Sequence, residues 1–200
     1  MTTMAASDSM AGAYPVNLDV DGPQPQNRVS VLLRILYAIP HLIAVMVLGI
    51  VAQVITLIAW FVIVITGKYP AGMANFIEGF SHWNARLNGY LWLLTDKYPP
   101  FAMGADDSYP VRLSLQTQLD GRNRVTVFFR IFMLIPHIIA LYVVTLIGEI
   151  VAFISWIVAL VTGSVPAGMH NFLVGWIRWQ ARVGAYATLL VDDYPPFSLN

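Results

Sequence analysis

The chain of 200 residues contains one sequence pattern twice, and this duplication limits the possible folds more than any other feature. The segment TGKYPAGMANF begins at Thr66, and TGSVPAGMHNF begins at Thr162, 96 residues later. Residues that recur at the same offset include Arg28, Arg34, Pro40, His41, Trp60, Gly67, Trp83, Arg86, Tyr90 and Asp96. A repeat of this length predicts that two copies of one unit adopt the same fold.

The repeat divides the chain into four parts. Repeat 1 covers residues 14–101, from YPVNL to YPPF, and repeat 2 covers residues 109–200, from YPVRL through a second YPPF. Residues 102–108 form the linker between them. Residues 1–13 have neither a basic segment nor an apolar core, so we expect a disordered tail and no cleavable signal peptide.

Two long apolar runs dominate the composition, which is 58% hydrophobic and only 11% charged. Residues 35–66 contain no permanently charged side chain, and residues 131–162 contain only Glu149. A helix of about 20 apolar residues crosses the hydrocarbon core of a bilayer, which is about 30 Å thick. Each run has 32 residues, so the sequence predicts an integral membrane protein whose apolar runs exceed one minimal span.

Charge and cysteine content argue against several classes of function. The 11 basic and 11 acidic side chains balance, so the sequence predicts no nucleic-acid partner. The lack of cysteine removes disulfides, thiolate catalysis and cysteine metal sites. The sequence has no nucleophile elbow and no phosphate-binding glycine loop, and we therefore expect neither catalysis nor a cofactor or metal. The expected partners are the lipid bilayer and either another membrane protein or a second copy of the chain.

Each copy predicts the same order of elements. Alternating apolar residues at Val16, Leu18 and Val20 indicate a short β-strand, and the second copy repeats the pattern at residues 111–115. A helix is predicted to begin soon afterwards, at Asn27 and at its equivalent in the second copy. The long apolar run follows and ends at the TG pair.

The apolar run of each copy allows two arrangements. In the first, residues 29–66 form a transmembrane hairpin that turns near residues 49–53, and the following helix lies on the membrane surface. In the second, residues 40–66 form one span and the following helix crosses back. Arg28 and Arg34 recur unchanged, which favours an even number of crossings per copy, because an odd number would invert the second copy. We prefer the hairpin, with four spans and both termini in the cytoplasm.

The segment that begins with PAGM predicts an amphipathic helix in each copy, because aromatic and aliphatic residues recur every three or four positions. Arginines and amides occupy the other side, as in helices that lie in the membrane interface. The alternative is a third, polar-lined span that faces a bundle interior. The candidate interfacial anchors are Trp60, Trp83, Arg86, Trp156, Trp179 and Arg182.

Four polar residues within the apolar runs are candidates for a transport or proton site. Gln53 and Glu149 occupy the same repeat position, which lies mid-membrane in a single span and in a water-facing turn in a hairpin. We favour the turn, since the glutamine of the first copy indicates that the fold does not require charge there. His41 and His137 each follow a proline, and they either bind a proton or metal together or satisfy a local carbonyl. We favour the local contact, because no carboxylate motif supports a metal.

Two pairs of opposite charge also recur. Arg34 and Asp96 in the first copy correspond to Arg130 and Asp192 in the second. The two members of each pair meet if the amphipathic helix folds back beside the apolar segment. We predict that such pairs neutralise charge within the structure and take no part in catalysis.

The pattern RxxxxxRIxxxIPH, followed by WxxxxxTGxxPAGMxNFxxGxxxWxAR and YPPF, resembles the DUF4389 family of uncharacterised prokaryotic membrane proteins. The resemblance covers residues 14–101 and again residues 109–197. It implies that the chain consists of two such domains fused in tandem. It implies no activity and no role for any particular residue.

We therefore predict an all-α integral membrane protein of the cytoplasmic (inner) membrane. Each copy would contribute a short β-strand, a transmembrane helical hairpin and an amphipathic interfacial helix. The leading functional hypothesis is a non-enzymatic scaffold or accessory subunit of a membrane complex, because surface helices recur and no catalytic group does. The alternative is a small proton- or cation-coupled transporter or channel that uses the internal symmetry, with Glu149, Gln53, His41 and His137 as its site.

Overall fold

The computed structural model describes residues 14–200, and the tail predicted for residues 1–13 lies outside the described residues. In each copy a strand precedes a long helix and a shorter helix, and the long helix of the second copy is interrupted at Phe129. The elements are β1 (Val16–Val20), α1 (Arg28–Thr66), α2 (Ala71–Leu91), β2 (Val111–Leu115), α3 (Arg124–Phe128), α4 (Arg130–Thr162) and α5 (Ala167–Ala187).

The apolar run of each copy is helical without a break, so the predicted hairpin with its turn near residues 49–53 is wrong. α1 has 39 residues and continues through Pro40, and α4 has 33 residues. A single glycine in a helix interior costs only about 1 kcal/mol, so Gly49 does not by itself end α1. Among the described residues, two helices are long and apolar enough to cross a membrane, where four spans were predicted.

The helical segment of each copy begins where the sequence predicted, at an asparagine cap: Asn27 precedes α1, and Asn123 precedes the short α3 that leads into α4. The Asn27 side chain accepts a hydrogen bond from the Val29 amide at 2.8 Å, and Asn123 accepts one from the Val125 amide at 3.1 Å. These bonds satisfy amides that the first turn of a helix leaves free. α1 ends at Thr66, and the next residue, Gly67, has a φ of 73°, the left-handed conformation that favours glycine after a helix.

The two predicted strands are confirmed, and they pair with each other across the repeats. β1 and β2 run antiparallel, with Leu18 opposite Leu113, which are the same residue of the two copies. This pairing of equivalent residues places a pseudo-twofold axis between them, perpendicular to the sheet. Val16 and Leu18 are fully buried, so one face of the sheet packs onto the helices.

The long helices of the two copies lie antiparallel to each other. Trp60, near the end of α1, donates its indole N–H to the Val127 carbonyl in α3 at 2.9 Å, just before α4 begins. Trp156, near the end of α4, donates to the Val31 carbonyl at the start of α1, also at 2.9 Å. The end of each long helix therefore touches the start of the other, and the pseudo-twofold axis is perpendicular to both.

Three layers stack along this axis. The sheet packs on α2 and α5, which in turn pack on α1 and α4. Each strand lies on the helix of the opposite copy, since β1 contacts α5 and β2 contacts α2. The copies thus form one intertwined unit. α2 and α5, predicted to lie in the membrane interface, form the middle layer between the sheet and the long helices.

Candidate functional site

Arg34 occupies a buried site between the start of α1 and the end of α2, and its side chain is 2% exposed. Its Nη1 donates to the carbonyls of Tyr90 and Thr95, the latter at 2.9 Å. Its Nη2 donates to Gln26 Oε1 at 2.8 Å and to Asp96 Oδ1 at 3.0 Å. The predicted pairing of Arg34 with Asp96 is confirmed, and the arginine also binds carbonyls that the end of a helix leaves free.

The second copy has the same site with one additional charge. Arg130 donates to the carbonyls of Tyr186 at 3.0 Å and Val191 at 2.7 Å, and its Nη2 lies 2.6 Å from Asp192 Oδ1. Arg122, which replaces a glutamine of the first copy, also lies 2.6 Å from Asp192 Oδ1. The predicted pair of Arg130 and Asp192 is therefore confirmed. Both side chains form hydrogen bonds that hold parts of the fold together.

Acid is expected to weaken this second site. Burial alone would raise the pKa of Asp192, but hydrogen bonds from Arg122, the Asn123 amide and Arg130 lower the pKa below its ordinary value. Such a carboxylate stabilises the fold above its unfolded pKa of about 4, and this contribution is lost as pH falls through the folded pKa. We expect the thermal midpoints of the wild type and Asp192→Asn to differ at neutral pH and to converge below about pH 4. A difference that does not change on acidification would contradict this assignment.

Each histidine of the candidate metal or proton pair is enclosed within its own copy. His41 is fully buried, accepts a hydrogen bond from Trp83 Nε1 at 3.0 Å through Nδ1, and stacks on Phe101 with ring centroids 3.7 Å apart. His137 repeats this arrangement in the second copy. Within residues 14–200, no three His, Asp or Glu side chains lie close enough together to hold a metal ion. The histidines therefore join α1 to α2 and α4 to α5, and each also packs against the YPPF segment of its own copy.

Four of the six predicted interfacial anchors lie inside the protein. Trp83 and Trp179 are 7% and 5% exposed, and both donate to the histidines. Arg86 and Arg182 are buried and donate to backbone carbonyls of the segments that follow their own helices. Buried side chains do not reach lipid headgroups, so the prediction is wrong for these four. The other two, the tryptophans at the ends of the long helices, are partly exposed and join the two copies.

Glu149 and Gln53 line two equivalent grooves between the long helices. The groove at Glu149 has a volume of about 310 Å³ and is also lined by Arg34 and Trp156. Its counterpart at Gln53 has about 570 Å³ and is also lined by Arg130. Both residues are exposed and helical, so their interpretation as turn residues is wrong. One carboxylate in an otherwise mainly apolar groove falls short of the six or more oxygen ligands that hard cations take.

The outer side of the long helices is the largest apolar surface that no other part of the described structure covers. Apolar side chains are exposed along α1 from Val29, which is 60% exposed, to Ile65, which is 71% exposed. The equivalent stripe on α4 extends from Ile131 to Val161. We call these two stripes together the apolar face. On α1 it includes Leu32, Ile35, Leu36, Ile43, Met46, Ile50, Val54, Leu57 and Phe61.

Comparison with known families identifies the repeated unit. A family model described as a domain of unknown function, DUF4389, matches the chain twice, at residues 28–103 and 124–198. The chain belongs to the DUF4389 family. Each DUF4389 match begins at the arginine after an asparagine cap and leaves out the strand that precedes it. The tandem repeat inferred from the sequence is thereby confirmed. Neither a search of curated proteins nor a search of solved structures finds a match.

Proposed function

We propose that this DUF4389 protein is a non-enzymatic membrane protein that serves as a scaffold or accessory subunit of a membrane complex. The main observation behind this proposal is the exposed apolar face of the long helices. In the most apolar 18-residue windows of α1 and α4, only 11% and 22% of the residues are buried, whereas a core helix of a soluble protein is mostly buried. Soluble monomers rarely expose a contiguous apolar patch larger than a few hundred Å², and a lipid bilayer removes such a surface from water.

We assign the protein to the cytoplasmic membrane, with both termini on the cytoplasmic side. The support for this assignment is the position of three exposed basic residues close to the long helices: Arg28 opens α1, Lys68 follows it, and Arg124 opens the short α3 before α4. Basic residues beside membrane segments are more frequent on the cytoplasmic side.

The scaffold role is supported by the surface opposite the apolar face. The sheet has only two strands among residues 14–200. The outward carbonyls of β1, at Val16 and Leu18, accept hydrogen bonds from Arg182 and Arg178. The outer edge of β2 has no strand partner within this range. Exposed strand edges readily accept another strand. Asp19 and Ser114 are exposed on this sheet, which leaves a polar surface for a protein partner or a second copy of the chain.

Transport is the competing function, because Glu149 is an ionisable side chain in an apolar helix, and such residues often mark ion pathways. We expect no proton- or cation-dependent flux in proteoliposomes, since His41 and His137 are enclosed within their own copies and do not line the Glu149 groove. A flux that Glu149→Gln abolishes would establish a transporter in place of the scaffold.

Membrane extraction tests the proposed attachment. We expect the wild type to stay in the membrane pellet after alkaline carbonate and to be released only by detergent. Ile43 and Ile139 are equivalent exposed residues of the apolar face. Replacing both with asparagine should increase release by carbonate, because each isoleucine side chain that lipid removes from water contributes about 1.5–3 kcal/mol to membrane binding.

A matched variant controls for general damage to the fold. Asp19→Asn with Ser114→Asn changes two exposed residues of the sheet and should leave extraction unchanged. Wild-type protein found in the soluble fraction after cell lysis without carbonate would overturn the proposed function.

A further inference from the structure

The apolar face is too long for a helix that stands upright in a bilayer. Val29 and Ile65 are both exposed and lie 36 residues apart on α1, which corresponds to about 54 Å at 1.5 Å per residue. The hydrocarbon core is about 30 Å thick. An upright α1 would therefore leave exposed apolar side chains in water or among headgroups at one or both ends. A helix that lies along the membrane surface keeps the whole stripe in lipid.

Only one side of each long helix is available to lipid. On α1 the opposite side is buried by other parts of the protein at Val31, Ala38, Ala52, Ala59 and Ile63, and residues 42–51 between these two stretches are partly or fully exposed. A helix with one protein-covered side and one apolar exposed side can place the whole exposed side in a single leaflet when it lies flat.

The position of the sheet also opposes a spanning arrangement. If α1 and α4 crossed the membrane antiparallel, the pseudo-twofold axis would lie in the membrane midplane, as in inverted repeats. The same axis passes between Leu18 and Leu113. The exposed Asp19 and the ion pair between Asp21 and Arg112, 2.9 Å apart, would then lie near the middle of the bilayer. Charged side chains are strongly disfavoured in hydrocarbon, and so is the outer edge of β2, which has no strand partner among the described residues.

We propose that both long helices lie in one leaflet, parallel to the membrane plane, with the pseudo-twofold axis along the membrane normal and the sheet in water. This inference rests on the proposed membrane attachment and specifies its geometry: the protein binds a single lipid leaflet and does not cross the bilayer. The apolar face enters the boundary between headgroups and acyl chains, where interfacial helices bury about 5–10 Å.

This orientation accounts for the faithful repetition of basic residues. If the pseudo-twofold axis lies along the membrane normal, equivalent residues of the two copies lie at the same depth in the membrane, and neither copy is inverted. Arg28 and Arg124, at the starts of α1 and α3, are exposed and form no ion pair among the described residues. At equal depth both guanidinium groups reach lipid phosphates, which bind arginine through two parallel hydrogen bonds.

The repeat supplies a matched pair of positions for the test. Lys68 and Ser164 are equivalent and exposed, and they follow the ends of α1 and α4. Because the long helices are antiparallel, the two positions lie at opposite ends of the molecule. Single cysteines at these positions, introduced into this cysteine-free chain, are probed with a membrane-impermeant thiol reagent in spheroplasts and in inverted membrane vesicles.

We expect both cysteines to react from the same side of the membrane and Ile50→Cys, on the apolar face, to react from neither. Labelling of Lys68→Cys and Ser164→Cys from opposite sides would overturn the flat orientation and leave membrane attachment intact. Recovery of both variants in the soluble fraction would overturn the proposed function, and the orientation with it.

Discussion

Replacing Arg34 with methionine is expected to destabilise the protein by about 2–4 kcal/mol, because it leaves a carboxylate and two carbonyls without their buried partner. The guanidinium of Arg34 is 2% exposed and binds Asp96, whose side chain is 25% exposed. Water therefore replaces part of the lost interaction at Asp96 and keeps the cost below that of a fully buried pair. The measurement is the thermal midpoint of unfolding in a mild detergent.

Arg28→Met is the matched control, since Arg28 lies on the same helix, is exposed and forms no ion pair among the described residues. We expect this variant to change the unfolding free energy by no more than about 0.5 kcal/mol. Equal midpoints for Arg34→Met and the wild type would show that the arginine does not join α1 to the end of α2.

Replacing Gly89 with alanine is expected to destabilise the protein by about 1–3 kcal/mol through overpacking. A Cβ on Gly89 would lie 2.5 Å from Val111 Cγ2, and Val111 belongs to the strand of the other copy and is 1% exposed. The substitution therefore presses β2 away from α2 at the contact that joins the two copies. Thermal unfolding in detergent measures the effect.

Replacing Gly184 with alanine is expected to stabilise the protein, in contrast to the same substitution at Gly89. Gly184 is an exposed residue inside α5, and no heavy atom lies within 4 Å of the position its Cβ would occupy. Alanine there should stabilise the protein by about 0.4–1 kcal/mol by restricting the unfolded chain. If Gly89→Ala also stabilised the protein, the packing of each strand on the opposite copy would be incorrect.

Local features of the fold were predictable because they depend on neighbouring residues. The alternation at Val16, Leu18 and Val20 predicted β1, and Asn27 marked the start of α1. The pairing of Arg34 with its aspartate was also predictable, because a buried arginine requires a partner.

The hairpin failed for a physical reason. A run of 32 apolar residues is longer than one upright span requires. If the helices are assumed to stand upright in the membrane, the extra length can be placed only by adding a turn. The relevant signal was the helical spacing of Val31, Arg34, Ala38 and His41, a row of small, branched and polar residues that marks one protein-facing side. A continuous row of this kind indicates one helix with two different sides.

The buried tryptophans and arginines of α2 and α5 could not be assigned from local pattern. Trp83 and Arg86 have the composition of interfacial anchors. Trp83 is buried against His41 and Phe101, Arg86 donates to the carbonyls of Ala102 and Gly104, and α2 as a whole packs on the strand of the opposite copy. Contacts between the copies, such as the hydrogen bond from Trp156 to Val31, join residues of different elements, and helical periodicity within one element does not report them.

The depth of α1 in the membrane is the most direct test of the flat orientation. Nitroxide labels at Ile35, Ile50 and Ile65 sample three exposed positions along the helix, and collision with oxygen and with a water-soluble nickel chelate reports the depth of each. A label at Ser114, exposed on the sheet, should be fully accessible to the chelate. We expect all three α1 positions to lie at a shallow depth within one leaflet, and none of them in water. A gradient with Ile50 deepest and both ends in water would contradict the account.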